Sequence, residues 1–388
     1  MTEMHPTGNE DVKEGKFRKR DHWLLPLVCL CTISLCLLGS EGIASCFLVS
    51  QGSDTCRVYG SLLGFRYRPN CITRMKLAEG PWVINSYNDC GYRTREFCRT
   101  KPKGTTKIAL FGSSISEGYM VASDDEFASQ TGRELTNFLK HPVEVQNLGR
   151  EQCFPICAYH QVDEALALRP AMMVLTISDL DIQRLNPSPI PDLNTVAPAK
   201  VSLTSEEKLV QMLKESKATL AATYLLSKID PEFVRLRVQR YVKRGGDSGY
   251  LWVPLPSPWE ARVEAMDVII GMIEAKCRKA NVPFVLLEVP TFQQDVVLKS
   301  RDLAPGVDPY QLSGRLNSIA VKNGVQFVST LDAFKDGPDP NEVFYVLDDH
   351  SNKQGHSIVA KVLVNHLQTE LTSEVIPAPK APTQSTLH

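Results

Sequence analysis

Net charge is nearly absent from this chain of 388 residues: 43 Lys and Arg stand against 44 Asp and Glu, a formal −1. A balance of this kind leaves no footprint for nucleic acid. No internal repeat is apparent. Cysteines have no histidine partner at metal-site spacing, so neither a zinc site nor any other cofactor is expected. Lys and Arg are also missing from Ser40 through Cys56, although four basic residues, Lys16, Arg18, Lys19 and Arg20, stand upstream.

That gap acquires meaning from what lies between. Trp23 to Gly39 is an uncharged, mostly apolar run, slightly short for a membrane span unless the apolar Ile43 to Val49 contributes. The basic flank predicts one transmembrane signal anchor at 23–39, a cytoplasmic tail at 1–22, and the remainder in the periplasm or at the cell surface. A cleaved signal peptide and a lipoprotein signal ending Ile43-Ala44-Ser45-Cys46 are the competing readings. Glu41, between the apolar run and Cys46, weighs against lipidation.

Of eleven cysteines, Cys29, Cys31 and Cys36 fall in the span. Those beyond it would face an oxidising compartment, where close spacing makes Cys56 with Cys71, Cys90 with Cys98, and Cys153 with Cys157 plausible bridges. Cys277, among Val268, Ile269, Ile270 and Ile273, reads as a buried thiol.

With 43% hydrophobic and 22% charged residues, the chain can fill one large α/β core. Residues 40–104 form a Cys-rich lead-in; from 50 onward it shows little periodicity, with ten basic against four acidic residues. Regular alternation starts at Lys107. Strands are predicted at Ile108 to Phe111, Val143 to Leu148, Ala171 to Ile177, Pro283 to Val289 and Val325 to Ser329. Helices are predicted near Glu126 to Lys140, Ala158 to Leu168, Trp259 to Ala280, Tyr310 to Asn323 and Lys353 to Leu371. The expected fold is a three-layer αβα sandwich with a five-stranded parallel sheet, flavodoxin-like in its winding and preceded by one transmembrane helix. A Pro-rich and helical insertion, 184–258 with a helical stretch Ser205 to Tyr241, reads as a lid or substrate-binding element, or as packing alone. Residues 373–388 read as a disordered tail.

Two fragments carry chemistry. Gly112-Ser113-Ser114 sits where the first strand hands over to a loop, so the Ser114 hydroxyl can project at the carboxyl end of the sheet. It is not a G-x-S-x-G elbow, since position 116 is Ser. Near the end, Asp348 and His350 stand two residues apart in DDHSNKQGH; in an extended segment they would share one side, the carboxylate orienting the imidazole that takes the serine proton. His356 reads as a capping or packing residue, and His141, His160 and His366 are assigned no function.

These blocks, in this order, resemble the SGNH or GDSL-type hydrolase superfamily over roughly Lys107 to Leu371, within a domain spanning 105–372, and specifically its membrane-anchored bacterial members. The G-D-S block is matched by Gly112-Ser113-Ser114, the block glycine by Gly149 in NLGRE, the block Asn by Ser178 in TISDL, and the final Asp and His by Asp348 and His350. The segment NDCGYR, Asn88 to Arg93, is similar to the stretch preceding the domain in such members. The resemblance implies an acyl-enzyme esterase with Ser114 as nucleophile, His350 as base and Asp348 as its partner. It implies an oxyanion hole from the Ser114 and Gly149 N–H groups and Ser178, with Asn147 a substitute donor. The expected partner is an acylated small molecule or glycan, reached by a chain held in the membrane. Acyl transfer to polysaccharide and a glycan-binding module without catalysis are the alternatives.

Overall fold

The computed structural model describes residues 21–48, 55–61, 64–76, 79–100, 102–194 and 216–375. Of the expected cytoplasmic tail at 1–22 and disordered tail at 373–388, residues 1–20 and 376–388 lie outside the described residues, whereas 21–22 belong to the first helix and 373–375 continue the last one, so neither tail begins where it was expected.

Helix α1 (Asp21–Phe47) does not end at Gly39 as the apolar run suggested. It continues through Ser40 and Glu41, and Trp23–Phe47 is long and apolar enough to cross a membrane. Polar residues survive inside it because they have partners: Ser40 Oγ donates to Leu37 O at 2.9 Å, and Glu41 is bound from outside the helix. At about 1.5 Å per residue the 25 apolar-helix residues exceed a bilayer core of about 30 Å.

The lead-in is more regular than its sequence suggested. It holds two antiparallel hairpins, β1 (Arg57–Ser61) with β2 (Gly64–Tyr67), and β3 (Ile72–Lys76) with β4 (Trp82–Ser86). Along β3 and β4 Thr73, Met75, Val83 and Asn85 point inward, while Ile72, Trp82 and Ile84 point out. Apolar residues on both faces erase the period-two signal, which is why these strands were not read. All three suggested bridges form, Cys56–Cys71, Cys90–Cys98 and Cys153–Cys157.

The main sheet follows, in chain order: β5 (Thr106–Phe111), α2 (Ser114–Glu117), α3 (Phe127–Leu139), β6 (Val143–Asn147), α4 (Pro155–Ala167), β7 (Met172–Ile177) and α5 (Asp179–Gln183). The insertion supplies α6 (Lys217–Ile229), α7 (Pro231–Arg244) and a 3₁₀ segment, Gly246–Leu251. Then come α8 (Ser257–Lys279), β8 (Phe284–Glu288), α9 (Phe292–Leu298), α10 (Gln311–Asn323), β9 (Gln326–Ser329), α11 (Leu331–Lys335), α12 (Pro340–Val343) and α13 (Lys353–Val375).

The five strands β6-β5-β7-β8-β9 are all parallel. Helices α3 and α13 pack together on one face, α4, α8 and α10 on the other, giving the three layers expected. Every residue of β7 is buried, as an apolar strand covered on both faces requires. Strand order reverses around β5, so the crevice where open α/β sheets take ligands lies beside its carboxyl end.

Two boundaries differ from expectation. The helical stretch expected over 205–241 is two helices where it is described, broken because Asp230 caps Glu232 N–H at 3.0 Å and Pro231 occupies the first turn of α7; 205–215 lies outside the described residues. The last helix runs on to Val375, four residues past its expected end.

Candidate active site

β5 delivers its chain into the crevice through a turn that only glycine can make. Gly112 has φ 141°, and a Cβ there would lie 2.4 Å from Ser116 Oγ and 2.7 Å from Thr176 O. Ser113 then holds the N-cap position of α2 without a side-chain capping bond, its hydroxyl directed to Asp181 instead, and Ser114 becomes the first helical residue, its N–H lacking an intrahelical acceptor. Ser116 Oγ closes the turn by donating to Phe111 O at 3.1 Å.

His350 reaches this turn from the loop between α12 and α13. Its Nε2 accepts from Ser114 Oγ at 2.7 Å, and its Nδ1–H donates to Asp348 Oδ1 at 2.5 Å. Residues 236 apart in sequence thus meet in one line. The loop is not the extended segment that was expected: Asp349 adopts φ 68°, and Asp348 and His350 meet across a tight turn closed by Tyr345 N–H on His350 O at 2.8 Å. Three parts of the chain fasten it. Glu79 of the lead-in accepts from Leu347 N–H at 2.5 Å, Arg237 of the insertion donates to Val346 O at 2.9 Å and Asp349 at 3.3 Å, and Gln293 of α9 donates to Asp349 at 2.6 Å.

Burial pulls the His350 imidazole down, but the Asp348 hydrogen bond and charge outweigh it and leave His350 above the usual histidine value. The ring also lies 5.1 Å from the Tyr119 ring.

The expected oxyanion donors divide. Ser114 N–H stands at the start of α2. Gly149 N–H, by contrast, donates to Asn147 Oδ1 at 2.9 Å, and Asn147 Nδ2 donates to Ser116 O at 2.8 Å, so neither faces a substrate. Gly149 is needed for packing, since a Cβ would lie 2.4 Å from Glu117 N. Ser178 Oγ and N–H both bind Asp181 Oδ2, at 2.8 and 2.7 Å, in the capping box of α5. On the loop after Gly149, Gln152 holds φ 61°, in the left-handed region.

Beneath Ser114 lies a buried polar layer that the sequence pattern did not reveal. Arg93 of the NDCGYR segment, 1% exposed, donates through Nη1 to Glu117 O at 2.6 Å and Gly118 O at 2.5 Å, and through Nη2 to Asn85 Oδ1 at 2.6 Å and to Val121 O. It grips the carbonyl end of α2. Tyr67 OH donates to Glu117 Oε1 at 2.5 Å, and Glu117 Oε2 accepts from Glu151 N–H at 2.7 Å. His356 accepts from Phe127 N–H at 3.1 Å at the start of α3; burial depresses it to about 3, so it stays neutral and structural. His141, His160 and His366 bond Thr106, Leu193 O and Gln326, away from the triad.

The triad opens on a cleft of about 290 Å³ whose walls include Ile115, Gln183, Tyr241 and Asp247. The insertion therefore supplies one wall. A larger hollow of about 440 Å³, bordered by Arg95 and Arg133, lies apart from the triad.

No family model matches the chain, and no curated protein matches it. Solved structures similar to it include an acetylxylan esterase from Geobacillus stearothermophilus, in a catalytic mutant: 12% identity, TM-score 0.40, covering 68% of this chain and 94% of that one. A lipase/acylhydrolase from Enterococcus faecalis gives 13% identity and TM-score 0.38, covering 68% and 96%. A psychrotrophic esterase from Pseudoalteromonas, inhibited by monoethylphosphonate, gives 11% and 0.37, covering 69% and 99%.

Proposed function

We propose that this chain is a membrane-tethered serine esterase of SGNH type that removes O-acyl groups, those of cell-surface glycans above all, through an acyl-Ser114 intermediate. The observation that carries the reading is the Ser114–His350–Asp348 line, with both bonds at catalytic length. Ser114 Oγ attacks the ester carbonyl while His350 Nε2 takes its proton. Asp348 holds the tautomer and stabilises the imidazolium. The Ser114 N–H, at the start of α2, supports the oxyanion. Collapse expels the alcohol, which leaves with the proton from His350, and the acyl group stays on Ser114. Water, deprotonated by the same imidazole, then releases the acid. A glycan hydroxyl taking the place of that water turns the same cycle into acyl transfer.

The apolar helix α1 supports tethering, and the three disulfides support an oxidising, extracytoplasmic compartment for the site. A fluorophosphonate probe should label the protein at Ser114 and not the Ser114→Ala variant, with p-nitrophenyl acetate hydrolysis lost in parallel. An intact fold that never labels would refute covalent catalysis.

A further inference from the structure

The outward face of the β3–β4 hairpin is composed unlike a face meant for water. Ile72 and Arg74 on β3, with Trp82 and Ile84 on β4, all point away from its packed side. Ile72, Trp82 and Ile84 are 70%, 43% and 58% exposed. Register sets Lys76 opposite Trp82 and Arg74 opposite Ile84, and the Arg74 guanidinium lies 4.6 Å from the centre of the Trp82 ring. A solvated hairpin would set polar residues on this face against the buried ones on the other. Trp, aliphatic side chains and Lys or Arg in one strip are the composition of a membrane interface, where rings sit among headgroups and basic ends reach lipid phosphate.

Position decides what covers the strip. Lys76, on the same outward side, donates through Nζ to Phe47 O at 3.2 Å, so the strip begins at the carboxyl end of α1. Trp23–Phe47 has 25 residues, about 37 Å of helix at about 1.5 Å each. A bilayer measures about 30 Å across its hydrocarbon and about 40–45 Å with its headgroups, so a helix of that length ends in the headgroup layer. The lead-in from residue 50 to 104, which carries the hairpin, has ten basic against four acidic residues, a charge that complements anionic lipid.

We infer that the outward face of the β3–β4 hairpin rests on the headgroup layer of the leaflet from which α1 emerges, and favours anionic lipid there. The inference rests on the membrane-tethered reading and goes beyond it: α1 holds the chain to the bilayer, and the hairpin fixes which side of the domain faces it. The turn of the same hairpin carries Glu79, which accepts from Leu347 N–H at 2.5 Å. The surface against lipid and one brace of the catalytic turn therefore belong to a single element.

Photocrosslinking of the full-length chain tests this in vesicles of phosphatidylcholine, with and without phosphatidylglycerol. One variant carries p-benzoylphenylalanine in place of Ile84, another in place of Ile33 of α1. Ile33, exposed on the apolar helix, reports tethering, and its position should form lipid adducts in both vesicles. Position 84 should form them too, at least roughly two-fold more with phosphatidylglycerol, since one basic residue at such a surface is worth about five-fold in affinity. Ile72→Asp, at an exposed strand position, should cut the adduct at 84 and leave that at 33 and the melting temperature as they were. Adducts from 84 to a second copy of the chain, no adduct from 84, or a yield indifferent to both phosphatidylglycerol and Ile72→Asp overturns the docking, while lipid adducts at 33 keep the tether. Absence of lipid adducts at 33 sinks the tethering reading, and the docking falls with it.

Discussion

Replacing Arg93 by Lys keeps the charge and removes the fork. Arg93 serves four acceptors from two nitrogens, Glu117 O and Gly118 O from one, Asn85 Oδ1 and Val121 O from the other. A lysine ammonium is one point and can reach one pair, leaving two buried acceptors without a donor. Bonds from a charged donor contribute about 1.5–3 kcal/mol each, so the loss is roughly 3–6 kcal/mol. In a domain of this size each kcal/mol moves Tm by about 2–4 °C, which gives a fall of roughly 6–24 °C. Two of the four acceptors end the helix that begins with Ser114, so the nucleophile also loses its fixed position. Circular dichroism melting gives the first number, and the rate of fluorophosphonate labelling at Ser114, measured well below the melt, gives the second; it should slow by roughly ten-fold or more. A variant melting within about 2 °C of wild type, and labelling at the same rate, refutes the claim that the lead-in positions the site.

The base form of His350 is the neutral one, and its proton affinity lies above the usual value, so esterase activity should fall as pH drops through a midpoint above 6.5. Asp348→Asn should cut kcat by on the order of 10³–10⁴ and move that midpoint down; a midpoint that stays put excludes the pairing. Burial lifts Glu288 to about 7 against the pull of Ser313 and Ser329, each donating at 2.6 Å. Its folded form therefore keeps a proton that the unfolded chain loses near 4.5, and the stability so gained, full below 4.5, is lost as pH rises to 7. That loss is on the order of 3 kcal/mol, at about 1.4 kcal/mol per tenfold in proton affinity. Glu288→Gln should recover it between pH 5 and 8 in urea unfolding, using about that pH span as the comparison; a constant offset across the range would show that Glu288 does not titrate as described.

The parallel sheet was legible because its strands are apolar on both faces: Met172 through Ile177 cannot be read as anything exposed. Asp348 and His350 were legible because a carboxylate two residues from an imidazole needs only a short turn to meet it. The left-handed Asp349, not an extended strand, brings them together. Ser178 illustrates a signal that was present and passed over. Ser-x-x-Asp, Ser178 to Asp181, is a capping box in the sequence itself and commits that hydroxyl before any substrate arrives. Asn147 two residues before Gly149 announces an Asx turn in the same way. Arg93 could not be found from pattern. A charged residue reads as solvent-facing, and its burial depends on four acceptors that only the fold assembles: the carbonyls of Glu117 and Gly118 at the end of α2, Val121 O and Asn85 Oδ1.

Glu41 has a bearing on how the polypeptide matures. Its carboxylate takes Ser216 Oγ at 2.7 Å and the N–H groups of Lys217 and Ala218 at 2.8 and 3.0 Å, so the start of α6 is capped by a residue of α1. At the far end of α1, Lys76 of β3 donates to Phe47 O at 3.2 Å. A peptidase cutting ahead of Cys46 would discard Glu41 and strip three donors of their acceptor at once. The same insertion carries Arg237, which braces the catalytic turn. Proteolytic release would thus reach the active site through α6 and α7, and the uncut chain is the form in which every one of these groups is satisfied.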